Sequence, residues 1–186
     1  VSWPAIDAFE RGSPTLDTTT AETAAREVAL AEDRVALFGD PMGAGFLTSK
    51  DSPRVSMRDW AHSEHVLADL LRAVETLDKM GVPGPYEALL ASSRYYAYLR
   101  ASEEGGYPTA RHLKEALAAV HRCAVMTDGG ALFATRGGDF VLTVGGDLAI
   151  GYRAHDREAV HLFCVETVAP QTLNPQGVCL LEPTAR

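Results

Sequence analysis

Six histidines and three cysteines carry most of the chemistry available to this 186-residue chain. His62 and His65 are three residues apart, so a helix would place both on one face, with Glu64 between them and Asp59 close by. Imidazole nitrogens and carboxylate oxygens are the donors a zinc site uses, but the H-E-x-x-H spacing is absent. We read the pattern as a solvated helix start. His155 with Asp156, and His161 with Glu166, fall on a polar hairpin and its strand, and spacing fixes no third ligand. No metal and no cofactor is expected. A thiol nucleophile would need a base, for which the nearby candidates are His121 for Cys123 and His161 for Cys164. Such pairs are normally assembled from distant segments rather than from sequence neighbours. Cys164 and Cys179 also sit in apolar runs, Leu162-Phe163-Cys164-Val165 and Val178-Cys179-Leu180. All three cysteines read as reduced, buried small side chains.

Other catalytic patterns are missing. Glu32-Asp33 and Glu103-Glu104 are each adjacent in sequence, which is not the arrangement of a facing acid/base dyad. Gly137-Gly138 and Gly145-Gly146 both run into Asp, whose charge would repel a phosphate. There is no G-x-S-x-G elbow, P-loop or G-x-G-x-x-G motif. No catalytic residue is expected, and the chain does not read as an enzyme. A small hydrolase using a Cys or His side chain remains the alternative from that class.

Composition sets the frame for these groups. The 17 basic and 25 acidic residues give a net charge of −8, and 46% of residues are apolar. An acidic balance argues against binding duplex nucleic acid, which calls for clustered Lys and Arg. No apolar run approaches the roughly 18–20 residues of a membrane span. Residues 1–30 show neither the basic nor the apolar region of a signal peptide, and the reduced cysteines suit a cytoplasmic protein. The length suits one domain, or two subdomains sharing a core.

The elements that must position these residues can be placed from the sequence. Residues 1–16 read as an extended lead-in. Thr19 with Glu22 has the spacing of a capping box and opens a helix whose face is Ala21, Ala24, Ala25, Val28, Ala31 and Val35. Gly39-Asp40-Pro41 ends it, and 40–58 reads as loop. A second helix over about 60–80 has an apolar stripe of Val66, Leu67, Leu70, Leu71, Val74 and Leu77. Asp69, Arg72, Glu75 and Asp78 lie on its other side. Tyr86 to Ala91 suits a short buried strand, and Ser92 or Ser93 caps a third helix. Glu103 to Pro108 reads as an exposed loop, followed by a fourth helix at about 109–120. After residue 121 the pattern turns to strands at 140–144, 148–152, 160–168 and 178–181, with Gly137-Gly138-Asp139 and Gly145-Gly146-Asp147 as turns. Helices first and strands last give an α+β fold.

The ordered run Arg136-Gly137-Gly138-Asp139-Phe140, Val144 to Tyr152, Val160-His161-Leu162-Phe163 with Glu166-Thr167, then Asn174-Pro175, resembles the C-terminal part of encapsulins. Ile6-Asp7, Glu10-Arg11-Gly12, Ala31-Glu32-Asp33, Gly84-Pro85-Tyr86 and Gly106-Tyr107-Pro108 extend the resemblance along nearly the whole chain. Encapsulins are nanocompartment shell proteins with the HK97-type fold of tailed-phage capsid proteins. The resemblance implies an α+β, phage-capsid-like fold: a peripheral domain from 1–54 and 136–186, and an axial domain, 55–135, inserted between them. It implies that Glu103, Glu104, Gly105, Gly106 and Tyr107 line a five-fold pore, where a ring of acidic loops would favour cations. It implies that Leu148, Ile150 and Tyr152 line an inner groove that docks cargo proteins through a short C-terminal targeting peptide. The expected partners are further copies of the chain and that cargo. A phage-type capsid protein, or a capsid fragment without cargo, is the alternative.

The chain departs from the family's pattern in three places. The resemblance takes up only after an N-terminal helix and extended loop that encapsulins carry. Gly146 stands where they have Gln. Val168-Ala169-Pro170 replaces alternating Phe and Thr, and Pro170, lacking an N–H, should end the strand or make it an edge.

Overall fold

The computed structural model describes residues 1–101 and 113–184. In order, its elements are α1 (Trp3–Glu10), α2 (Thr19–Phe38), β1 (Arg54–Met57), α3 (Ser63–Lys79), β2 (Tyr86–Ala91) and α4 (Ser92–Arg100). Then come β3 (Ala119–Cys123), β4 (Gly130–Ala134), β5 (Phe140–His155), β6 (Val160–Thr172), a 3-10 turn (Pro175–Gly177) and β7 (Val178–Pro183). The chain divides into two compact units, one of 1–36 with 142–169, the other of 37–141 with 170–186.

The larger unit is built on a five-stranded mixed sheet in the order β1-β7-β4-β2-β3. β1 runs parallel to β7, and β2 parallel to β3. β4 is antiparallel to both of its neighbours, β7 and β2. Central strands are buried on both faces, so β4 and β7 are almost wholly inaccessible. α3 supplies Val66, Leu70, Ala73 and Leu77, all at 0% exposure and spaced to share one face. They join Leu90, Leu132, Cys179 and Leu181 in the main core. Each fully buried Leu or Val contributes about 1.5–3 kcal/mol.

Asp69 corrects the sequence reading. It was expected on the polar side of its helix and is 0% exposed. Its Oδ2 accepts from the Arg58 backbone N–H (2.8 Å) and the Trp60 indole N–H (2.9 Å). Its Oδ1 accepts from Arg58 Nε (2.9 Å) and Arg72 Nη2 (3.1 Å). Four donors around one carboxylate are what permit a charge to be buried. Asp78, from the same expected polar side, accepts from the buried Tyr86 hydroxyl, which also donates to the Val82 carbonyl at 2.5 Å. Burial, and then Asp78, push the Tyr86 phenol up to about 12.

Where the R-G-G-D segment enters β5, Asp139 is 5% exposed. Its carboxylate takes two hydrogen bonds from Arg136 (3.0 Å each) and one from Asn174 Nδ2 (2.8 Å). Its carbonyl accepts the N–H groups of Leu173 and Asn174. Residues just before β5 and just after β6 are therefore tied to one side chain. Gly177 packs against it so closely that a Cβ there would lie 2.8 Å from the Asp139 Cβ.

The smaller unit contains α1, most of α2, and most of a two-stranded ribbon formed by β5 and β6. The four-residue connection from His155 to Val160 makes the pair antiparallel. α1 replaces the expected extended lead-in; Ser2 caps it and Pro4 stands in its first turn. In α2 the cap is Thr18 rather than Thr19: the Thr18 carbonyl accepts the Glu22 N–H, and its hydroxyl donates to Glu22 Oε1 at 2.6 Å. On the same helix Ala31 is exposed and Glu32 half-buried, the reverse of the expected stripe.

Strands account for the remaining differences. β1 lies in the segment read as loop, and β3 begins at Ala119, inside the expected fourth helix; residues 109–112 of that helix lie outside the described residues. β4 went unpredicted. Gly145-Gly146 is not a turn, because both glycines lie within the continuous strand β5, opposite Thr167. β6 runs through Pro170 to Thr172, which its place in a two-stranded ribbon allows.

Candidate functional surfaces

Ribbon and first long helix together form a concavity. Thr20, Ala21 and Ala24 of α2, Ile150 of β5, and Val160, His161, Leu162 and Cys164 of β6, with Val1, line a groove of about 160 Å³. The small side chains of α2 leave this space open. Ile150 is 55% exposed, and Leu148 (41%) and Tyr152 (58%) stand two residues to either side of it. Strand alternation puts these three on one face. Leu148 and Tyr152 do not line the groove. The sequence reading missed Thr20, Ala21, Ala24 and Cys164 as groove residues; the alanine spacing of α2 was the one available signal.

Farther into the ribbon, Glu166 is half-buried. Partial burial, followed by the charges of Glu32 and Asp147, raises its carboxyl above the ordinary range. At the hairpin tip Asp156 accepts from His161 Nε2 (2.8 Å) and from the N–H groups of Glu158 and Ala159. These bonds, His161 first, hold the Asp156 carboxyl well below the usual carboxylate range. Trp3 donates its indole N–H to the Asp156 carbonyl at 2.8 Å.

Those partners bear on the thiol chemistry. His161 bonds Asp156, and His121 bonds Glu87 Oε2 at 2.8 Å. Cys123 and Cys179 are buried and Cys164 is half-buried, all as free thiols. Burial pushes the Cys179 thiol up to about 12, so it stays protonated at neutral pH. His65 Nδ1 donates to the Asp59 carbonyl (2.7 Å), and the His62 ring lies 5.2 Å from that of His65. Among the described residues no three His, Cys, Asp or Glu side chains are grouped to hold a metal ion. None of their helices is long and apolar enough to cross a membrane. Glu103, Glu104, Gly105, Gly106 and Tyr107, expected to line a pore, lie outside the described residues.

A mixed sheet backed by helices, a long helix and a long two-stranded ribbon are the elements of the HK97-type α+β fold. Solved structures with this architecture include the virus-like particle of Pyrococcus furiosus, with a TM-score of 0.69 and 20% identity over 83% of this chain and 64% of that one. The capsid of Myoviridae phage XM1 also scores 0.69, at 10% identity over 99% of this chain and 70% of its own. The chain belongs to the Linocin_M18 family, encapsulating protein for peroxidase, whose model matches residues 1–169. Among curated relatives, type 1 encapsulin shell proteins of Rhodospirillum rubrum and Brevibacterium linens are 35% and 38% identical over 92% and 90% of this chain. That of Mycobacterium tuberculosis is 33% identical over 88%. The chain spans 61%, 63% and 61% of the lengths of these three relatives.

Proposed function

We propose that this protein is a structural, non-catalytic subunit that associates with copies of itself into a closed icosahedral shell enclosing cargo proteins. The observation that carries this reading is the family match across residues 1–169, on a fold otherwise found in particles. Closed symmetry lets one surface, repeated, build a container without further components. On this reading 1–54 and 136–186 form the peripheral domain and 55–135 the axial one. The same reading, which rests on the family resemblance alone for this stretch, assigns the acidic residues Glu103 and Glu104, with Gly105, Gly106 and Tyr107, to a five-fold pore that favours cations. The compartment is cytoplasmic.

Size in solution tests the shell. An icosahedral particle needs at least about 60 copies, or roughly 1.2 MDa for a chain of 20.0 kDa. We expect light scattering and negative-stain microscopy to find closed particles of that order; a chain that runs only as monomer or dimer would sink the proposal.

Cargo is proposed to dock through the apolar face of Leu148, Ile150 and Tyr152, beside the groove that Ile150 enters. A short apolar peptide lying extended there would be held by side-chain pockets. Leu148→Asp places a charge on that face and is expected to weaken capture of a cargo-type tail peptide at least about tenfold without changing particle size. Unchanged capture would favour a capsid-type protein without cargo, the reading the phage capsid neighbour keeps in view.

A further inference from the structure

We propose that Met42, at the tip of the turn following α2, is an anchor of the contact between copies of this chain; this rests on the shell reading above. Met42 is 95% exposed, by far the most exposed of the large apolar side chains among the described residues. A single exposed apolar residue is ordinary on a protein surface. This one stands on a turn whose backbone is tightly hydrogen-bonded.

Asp40 Oδ1 accepts the backbone N–H groups of both Met42 (2.8 Å) and Gly43 (2.9 Å). The Asp40 N–H donates to the Gly43 carbonyl at 2.9 Å, and the Gly43 N–H returns to the Asp40 carbonyl at 3.2 Å. Gly39 has φ +74°, and a Cβ on it would collide with the Gly43 carbonyl oxygen. Below the turn, Leu47 donates its N–H to the Leu37 carbonyl (2.9 Å). Phe46 packs edge-on against Phe140 at 5.4 Å, and Phe140 against Phe133 at 5.3 Å. The turn's backbone is thus preformed, so burial of Met42 by a partner orders its side chain without having to order the turn as well.

Charge identifies the partner. The chain carries −8, and 23% of its residues are charged. From Leu37 to Ser49 there is one charged residue, Asp40, and its Oδ1 is turned onto backbone N–H groups. Phe38, 42% exposed, belongs to the same stretch. Identical acidic copies repel one another wherever their charges face, and they can meet closely where charge is absent. A partner of opposite charge would be recognised by acidic residues, which this turn does not offer. Interface centres are depleted of charge and enriched in Met, as this turn is. A second copy of this chain therefore fits the surface.

Two measurements test the proposal on the purified chain. Met42→Asp, at so exposed a position, should leave far-UV circular dichroism and thermal unfolding unchanged. It should lower the assembled fraction in sedimentation velocity by roughly tenfold or more. Second, hydrogen peroxide transfers one oxygen atom to a thioether and leaves as water, and peptide mass spectrometry reads the sulfoxide. In dissociated subunits Met42 should oxidise ahead of Met80, which is 38% exposed, and far ahead of Met57, at 1%. In particles its oxidation should slow about tenfold. Particles formed normally by the Met42→Asp variant, together with wild-type Met42 that oxidises as fast in particles as in subunits, overturn the Met42 contact and leave the shell reading standing. A wild-type chain that stays at 20.0 kDa at every concentration overturns both.

Discussion

Asp69→Ala is expected to destabilise the larger unit by about 3–5 kcal/mol, enough to unfold a domain of ordinary stability. The wild-type carboxylate is fully buried and satisfies the Trp60 indole, the Arg58 backbone N–H and two guanidinium groups. Arg58 and Arg72 are each nearly half exposed and can turn to water. The indole and the backbone N–H are held where they are and would lose their acceptor, at about 1–3 kcal/mol each. Asp69→Asn should fall between the two: one amide oxygen can still serve Trp60 and Arg58, but its NH2 would then face the guanidinium groups. Urea unfolding followed by Trp fluorescence measures all three proteins. A midpoint for Asp69→Ala within error of wild type would refute this account.

The second large effect is expected at Asp139. Asp139→Asn should cost about 2–3 kcal/mol at pH 7, because Arg136 keeps its charge and loses its two-point acceptor. The loss should depend on pH in a defined direction. Arg136 first, and then Asn174, hold the Asp139 carboxyl below its ordinary value of 3.8. A group whose folded-state pKa is depressed contributes its full stability above its unfolded value of about 3.9, and loses it as pH falls through the folded value. The gap between wild type and Asp139→Asn should therefore stay constant from about pH 7 to 5 and narrow below about pH 4. Urea midpoints over that range would reveal it, and a gap that widens on acidification contradicts the assignment. Gly177→Ala offers a control at the same place, since its methyl would press on Asp139 without removing any charge.

These two carboxylates also mark where sequence reasoning stops. The helix of Asp69 was legible, because Val66, Leu70 and Leu77 of the expected stripe repeat at the helical period whatever surrounds them, and all three are buried. Its polar side was read as solvated, yet Asp69 meets the segment running from Arg58 to Trp60, a tertiary contact that periodicity does not encode. Asp139 stood in a visible Arg-Gly-Gly-Asp pattern, and its local content, a turn, was read correctly. Its partner Asn174 lies 35 residues on. β2 was legible between Pro85 and Ser92. β4, Gly-Ala-Leu-Phe-Ala, has no alternation because both of its faces are covered, and two small residues and a Gly weaken its strand signal. β1 is four residues long, and its one signal is an exposed-buried alternation that only the sheet reveals. Ile150 was reached through family resemblance. The alanines opposite it could be placed only by packing α2 on the ribbon.

β7 holds a particular place in the order of events. It is paired on both sides, to β1 and to β4, and β1 has no other strand beside it. Arg54 pairs with Leu180 and Val55 with Leu181, so one segment of the chain waits for another far downstream of it. A ribosome adding about 5–20 residues per second leaves β1 and the apolar side of α3 without their central strand for several seconds. The sheet then closes in one late step, once β7 emerges. On the shell reading proposed above, a nascent subunit has no closed sheet to offer a neighbour before β7 has left the ribosome.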